Sequence, residues 1–321
     1  MLQYIIRRIL RIIPVMFGVS IIVFGIMYLT PGDPALLMLG ENAPEEQYAA
    51  LREELGLNEP FVVQYGLWLG RVVQLDFGRS IRSNRPVLAE IRSRYPATVE
   101  LAIVAILLAV LIGVPIGVFS ATRPASVADN VATVGALSGL AMPVFWQGLM
   151  AILIFSVWLE WLPASGRSPT GLRLGSWQFG HWKEYILPAL TLGTSAVAAI
   201  TRMMRSTMLE TIDQDYVRTA KAKGLLRGSV LYHHALRNAL LPVVTVVGLQ
   251  FGNLLAGAVI TETIFSWPGI GSFAVGAIRA KDFPVVQGVV MTFALTYALV
   301  NLLVDVLYAY IDPRIRTRYS N

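Results

Sequence analysis

Six stretches of this chain run for roughly 20 residues with scarcely a charge, the length at which a helix crosses the hydrocarbon core of a bilayer. They lie near Ile12–Leu29, Thr98–Phe119, Val131–Leu159, Tyr185–Met204, Ala239–Ile264 and Pro284–Tyr310. The pattern predicts an all-α, polytopic membrane protein with six transmembrane helices. With 55% hydrophobic and 14% charged residues and a mean hydropathy of +0.61, a soluble globular chain of this length is excluded. The first run is too long for the apolar core of a signal peptide, and TPGDPALL after it offers no small-x-small cleavage site, so it is expected to stay as an anchor.

A net charge of +6 would suggest nucleic acid as the partner of a soluble protein. Here the positive-inside rule accounts for it, with membrane lipid as the surroundings and no nucleic acid. Arg7, Arg8 and Arg11 precede the first span; Lys221, Lys223, Arg227 and Arg237 separate the fourth from the fifth; Arg314, Arg316 and Arg318 follow the sixth. An even number of spans puts all three clusters on one side, read as the cytoplasm, which also holds both termini. Arg79, Arg82, Arg85, Arg92 and Arg94 fall on the other side, in a long loop that also carries Glu41, Glu45, Glu46, Glu53, Glu54, Glu59, Asp76 and Glu90; long loops translocate largely regardless of charge. The chain divides accordingly into an N-terminus with the first span (1–30), an external folded loop (31–96), a core of five spans (97–311) and a tail (312–321).

Turn residues organise the links. Pro31, Gly32 and Pro34 end the first span. Pro44 opens an amphipathic helix with Glu45 and Glu46 in its first turn, Tyr48, Leu51 and Leu55 on one face and Gly56 as its cap. Phe61 to Leu75 reads as a second amphipathic stretch before the turn Asp76-Phe77-Gly78. The loop is a small cap, either scaffolding or docking surface. Pro163, Gly166, Pro169, Gly171 and Gly175 mark an irregular link between the third and fourth spans. Gly113/Gly117, Gly135/Gly139 and Gly248/Gly252 have the small-xxx-small spacing of close helix contacts, and Pro115, Pro143 and Pro242 are expected to kink or end helices. FSWPGIGSF breaks the helix between the last two spans, with Phe273, Ala274, Ala277 and Ile278 forming a short amphipathic return.

The chemistry is sparse. The sequence has no cysteine, no GxxxxGK[ST] loop, no GxSxG elbow and no HExxH, which argues against a P-loop ATPase, a serine hydrolase or a metal enzyme. His181, His233 and His234 have no ligand spacing. Inside the apolar runs sit Gln147, Gln250, Asn253, Glu262, Asn301 and Asp305, each costly to bury. Glu262 and Asp305 are placed near the membrane surfaces. Gln250 and Asn253, three apart on one helix face, either line a hydrated path together with Asn301 or bond neighbouring helices.

One polar stretch, Asp213 to Asn238, separates the fourth and fifth spans. Asp215 reads as an N-cap, Tyr216 to Lys223 as about two helical turns, and Gly224 as a left-handed C-cap. Asp213 and Asp215 complement the positive end of the helix dipole, Lys221 and Lys223 the negative end. Thr219, Ala220 and Ala222 would let another surface come close. Two readings stand: a basic helix on anionic headgroups, or a knob in a protein groove.

YVRTAKAKGL followed by HALRNALLP resembles the cytoplasmic EAA loop of permease subunits in ATP-binding cassette importers of the dipeptide/oligopeptide/nickel branch. RRILRIIPVMFGVSIIVF, LTPGDPA, DFGRS, ILPALTLG, ETIFSWPGIG and VDVLYAYIDPRIR extend the likeness over nearly the whole chain. The Glu-Ala-Ala positions are Arg218, Thr219 and Ala220 here; the glycine is kept as Gly224. The resemblance implies a type I importer permease fold with the coupling loop at 206–241. It implies a contact made by Asp215, Tyr216, Arg218, Thr219, Ala220, Lys221, Ala222, Lys223, Gly224 and Leu225 with an ATPase subunit that opens and closes on ATP. It further implies a second related permease, two ATP-binding cassette subunits that hold ATP and Mg, and an extracytoplasmic solute-binding protein, in a bacterial or archaeal cell membrane. No cofactor and no catalytic residue are expected in this chain. Trp267, Pro268, Gly269, Ile270 and Gly271 are expected to dock the binding protein. Dipeptides or short oligopeptides are the expected cargo, with nickel, glutathione, sugars and haem as the family's other cargoes. An ATP-independent channel or secondary transporter would carry ionisable residues inside its spans, and these spans have few.

Overall fold

The computed structural model describes residues 2–29, 34–39, 44–54, 56–168, 173–174, 177–178 and 180–311. Pro31, Gly32, Leu55, Pro169, Gly171, Gly175 and the tail with Arg314, Arg316 and Arg318 lie outside them, as do the expectations placed on them. Among the described residues the chain is almost wholly helical: α1 Leu2–Leu29, α2 Pro34–Leu39, α3 Glu45–Glu54, α4 Phe61–Val73, α5 Val87–Thr122, α6 Val127–Ala141, α7 Val144–Trp158, α8 Trp182–Ile212, α9 Asp215–Ala222, α10 Arg227–Ile264, α11 Ile270–Arg279 and α12 Phe283–Ile311. Arg173–Leu174 (β1) and Trp177–Gln178 (β2) form a minimal antiparallel pair in the link expected to be irregular.

α1, α5, α8, α10 and α12 are each long and apolar enough to span a bilayer. The third expected span, Val131–Leu159, is not one straight helix, because α6 and α7 meet at 107°. Pro143 is the cause. It has no N–H to donate and its ring pushes the preceding residue out of the helical region; Met142 accordingly takes ψ 133° and Pro143 ψ 136°. Gln147 Nε2 then donates to the carbonyls of Gly139 and Met142 at 2.8 and 2.9 Å, so this intramembrane amide satisfies the groups that the break releases. Pro115 and Pro242, by contrast, sit in unbroken helices. α5 and α10 begin about a dozen residues before their apolar runs, the helices continuing through polar segments that hold Glu90, Arg92 and Arg94 in one and Arg227 and Arg237 in the other.

The chain forms two compact units, Met1–Ala97 with Pro268–Ala298, and Thr98–Trp267 with Leu299–Asn321. In the first, α4 crosses α1: Phe24 meets Phe61, Tyr65 and Trp68 at ring separations of 5.4, 5.6 and 5.4 Å, and Ser20 Oγ lies 2.8 Å from Tyr65 Oη. A second core gathers Val87, Ile91, Ile270, Ala274, Ala277, Val285 and Val289, which buries one face of α11 as its pattern requires; Ile278 is exposed instead.

In the second unit α8 lies along α10 and against α5 and α6. Close approach depends on missing side chains. A Cβ on Gly117 would stand 2.6 Å from Met204 Cβ, and one on Gly139 2.7 Å from Thr194 Cγ2, distances at which something must move. Gly113 against Ile200 and Gly248 against Val304 are equally tight, whereas Gly135 has open space around it.

Candidate functional site

The link between α8 and α10 is the helix α9 with a structured end. Gln214, not Asp215, holds the N-cap position, and its side chain makes no cap bond; Asp215 is the first helical residue. The shift of one residue leaves the electrostatic argument intact, because a carboxylate in the first turn still faces the positive end of the dipole. At the other end Gly224 takes φ +76°. Its N–H donates to the Lys221 carbonyl at 3.0 Å and that of Leu225 to the Ala220 carbonyl at 3.4 Å, the paired closure of a Schellman cap.

Val217 and Ala220 are buried against Val230 of α10, so Ala220 faces the chain's own core and not a partner. Asn238 Nδ2 donates to Tyr216 Oη at 2.8 Å. With the covalent link to α8 through Asp213 and Gln214, this seats α9 on both flanking spans. Asp215, Arg218, Thr219, Lys221, Ala222, Lys223, Gly224 and Leu225 are exposed, as is Leu226 at 81%. Arg218 stays within 3.9 Å of Asp215 across an exposed turn, and Thr219 Oγ1 donates back to the Asp215 carbonyl at 2.9 Å. The outcome is a rigid stub with a small-residue centre, a basic flank and an apolar tip at Leu225–Leu226.

A clamp on α8 makes that stub stiffer than the sequence alone suggested. Asp129, 3% exposed at the start of α6, accepts from Arg205 Nε and Nη2 at 2.7 and 2.8 Å. It also accepts from the Ser120 hydroxyl and from Ala125 N–H at 3.0 Å. A two-pronged guanidinium–carboxylate pair fixes both distance and orientation, here between α8 and the α5–α6 turn, about two helical turns before α8 ends. Arg123 and Asp129 read from sequence as a mere link; the signal that could have exposed the pair is an arginine near the end of a span.

At the other end of α8, His181 caps the helix by accepting from Lys183 N–H, while Glu184 accepts from His181 N–H at 3.0 Å. Beside it Glu100, 3% exposed, accepts from Arg167 at 2.8 and 3.0 Å and from the Tyr185 hydroxyl at 3.0 Å. Sequence reasoning passed over Glu100, Arg167 and Tyr185, since partners 67 and 85 residues apart leave no local spacing to read.

This network changes the view of the loop expected to dock a binding protein. Trp267 is fully buried, edge-on to Tyr185 at 4.9 Å and beneath Arg167 at 6.0 Å. Ile270 is fully buried in the α11 core, and Gly269 and Gly271 are buried with it; only Pro268 of the five is exposed. These residues hold the fold and offer almost no surface, which overturns their assignment as docking contacts. Glu262, two residues before the end of α10, is completely buried and accepts from Thr98 Oγ1 at 2.6 Å, so hydrogen bonding inside the protein and not hydration surrounds it. Gln250 and Asn253 do share a face, Asn253 Nδ2 donating to Gln250 Oε1 at 3.1 Å. Asn301 is half-buried and bonds neither.

Residues 113–317 match the family described as binding-protein-dependent transport system inner membrane component, and residues 1–102 match the N-terminal region of the same class of membrane components. The dipeptide transport system permease protein DppB of Alkalihalophilus pseudofirmus is 49% identical, over 98% of this chain and all of that one. DppB of Escherichia coli K12 is 45% identical over 98% and 99%. The glutathione transport system permease protein GsiC of Salmonella choleraesuis is 42% identical over the same shares. Among solved structures, an amino acid ABC transporter with histidines superposes at a TM-score of 0.50 with 15% identity, covering 70% of this chain and 94% of that one. The methionine ABC transporter MetNI does so at 0.50 with 16% identity, covering 67% and 93%; both likenesses concern the fold.

Proposed function

The chain belongs to the family of binding-protein-dependent transport system inner membrane components, and from that premise we propose that it forms half of the translocation path of an ATP-driven dipeptide importer. The other half is a second, related permease. Two ATPase subunits carry ATP and Mg on the cytoplasmic side, where both termini lie, and an extracytoplasmic binding protein delivers the peptide. The observation that carries this reading is the seat of α9: a short helix locked to two spans through Val217, Ala220 and Asn238, with its polar face left bare.

A groove in a moving ATPase subunit fits that face better than a lipid surface does. A headgroup-binding helix needs an apolar side to sink into the bilayer; α9 turns Val217 and Ala220 onto Val230 and leaves only Tyr216 and the tip Leu225–Leu226 as exposed apolar surface, beside a face that is otherwise polar. When the ATPase closes, the stub is pulled as one body with α8, and the Asp129–Arg205 clamp carries the displacement to the α5–α6 turn. Rigid-body rocking of this kind exposes a central path to each side in turn. Gln250 and Asn253 are the polar pair proposed to line it.

Glutathione is the second cargo to consider, because the relatives at 42% identity are glutathione permeases. Co-expression with the neighbouring reading frames, reconstitution into liposomes and uptake of a labelled dipeptide tests both. ATP-dependent dipeptide uptake that excess glutathione leaves unchanged is expected. Uptake of glutathione alone would move the cargo, and uptake by this chain without a nucleotide-hydrolysing subunit would overturn the reading.

A further inference from the structure

In the first unit, a cavity of about 140 Å³ lies among Phe24 and Met27 of α1, Trp68 and Arg71 of α4, the turn Asp76–Arg79 and the start of α12. Three features make it a built site. Gln287 lines it at 5% exposure, and its Nε2 has no hydrogen-bond partner among the described residues; a buried donor left unmade is destabilising. Among the described residues Arg71 forms no ion pair or side-chain hydrogen bond, and Arg79 uses one nitrogen on the Asn84 carbonyl at 2.9 Å, so both guanidiniums have donors to offer. Phe24, Met27, Trp68 and Phe77 make much of the remaining wall apolar; Gln64, engaged on the Leu57 and Glu59 carbonyls, and Asp76, which accepts from Gly78 N–H at 2.9 Å, are its other polar members. The turn is held rigid: Asp282 accepts from the Ser80 hydroxyl at 2.5 Å and from the Ile81 and Arg82 N–H groups at 3.1 and 3.3 Å.

An occupant must therefore offer an anion to Arg71 and Arg79, a neutral acceptor to Gln287 and hydrocarbon to the aromatic wall. Water supplies only the second, and inorganic phosphate, whose oxygens can meet both the guanidiniums and the amide, supplies no hydrocarbon. We propose that this cavity is a glycerophospholipid site, with the phosphate on Arg71 and Arg79 and an ester carbonyl on Gln287 Nε2. A half-open space of this size suits the polar junction of a lipid and not its chains, since a single water occupies about 30 Å³. The chains have apolar surface to follow, because Ile22 and Ile26 on α1 and Leu67 on α4 are 61%, 63% and 56% exposed, and α1 is itself long and apolar enough to span the bilayer. The DFGRS turn thereby gains a role that the transport cycle does not give it.

The test uses the full chain, delipidated in a maltoside detergent, and follows its melting temperature against added phosphatidylethanolamine, diacylglycerol or inorganic phosphate, with retained phospholipid counted by mass spectrometry. Phospholipid is expected to raise the melting temperature while the other two leave it unchanged. Arg71→Gln, at an exposed position, is expected to weaken that response at least tenfold in lipid concentration. Gln287→Leu should abolish it and yet melt higher than the parent without lipid, because the unsatisfied donor is gone. A parent chain indifferent to phospholipid overturns the proposal, as do variants that respond like the parent. A full effect from phosphate alone would also overturn it, by reducing the site to a small-anion site.

Discussion

At the scale of single residues, Gly224 and Arg205 carry the sharpest consequences. Gly224 sits at φ +76°, where a Cβ costs about 1 kcal/mol or more. Gly224→Asp adds a carboxylate on the exposed rim of α9, and uptake in proteoliposomes should fall at least tenfold while the complex still assembles. Arg205→Ala leaves Asp129 buried without its counter-charge, a change that costs about 3–5 kcal/mol when the pair is fully buried and nearer the lower figure here, because Arg205 is one-third exposed. Thermal unfolding in detergent should show the loss, and Asp129→Asn in the same chain should restore part of it. Gln250 and Asn253 are tested by their neighbours' absence of thiols. The chain has no cysteine, so a cysteine placed at either position should react with a water-soluble maleimide if the pair lines a hydrated path; uniform protection would assign it to helix contacts.

At the scale of elements, glycines set how closely the helices approach. Gly117→Val puts a branched side chain where a Cβ alone would stand 2.6 Å from Met204 and 2.8 Å from the Thr201 carbonyl. Overpacking of this kind costs about 1–3 kcal/mol, and a lower melting temperature together with impaired uptake is expected, since α8 is the arm that bears α9. Most elements were legible from the apolar runs, because a span must be long and uncharged whatever it packs against. The ends of α5 and α10 were not, since both helices run on through polar segments. Nor was the 107° break at Pro143 separable from the uninterrupted helices around Pro115 and Pro242. A proline's effect depends on whether neighbours satisfy the carbonyls it frees, and Gln147 does so only after the chain has bent.

At the scale of the whole molecule, a stiff lever between α8 and α10 delivers motion made elsewhere. Its position and its capping glycine could be read from local spacing, and so could the polar pair Gln250–Asn253. Its seat could not, because burial of Val217 and Ala220 on Val230 turns a nominally exposed alanine inward. The same limit misassigned Trp267 and Ile270, which look like a surface motif between two turn residues and are fully buried. Glu100 with Arg167, and Asp129 with Arg205, were out of reach for the same reason: long-range pairing has no signature in a short window. The most direct measurement of the lever is a disulfide. Thr219→Cys in this cysteine-free chain, assembled with its partners and oxidised, should cross-link to a cysteine in the groove of the ATP-hydrolysing subunit and stop dipeptide uptake, which reduction then restores. Uptake that proceeds at the parental rate through the cross-linked complex, or a Thr219→Cys side chain that modifies only from the extracytoplasmic side, would contradict it.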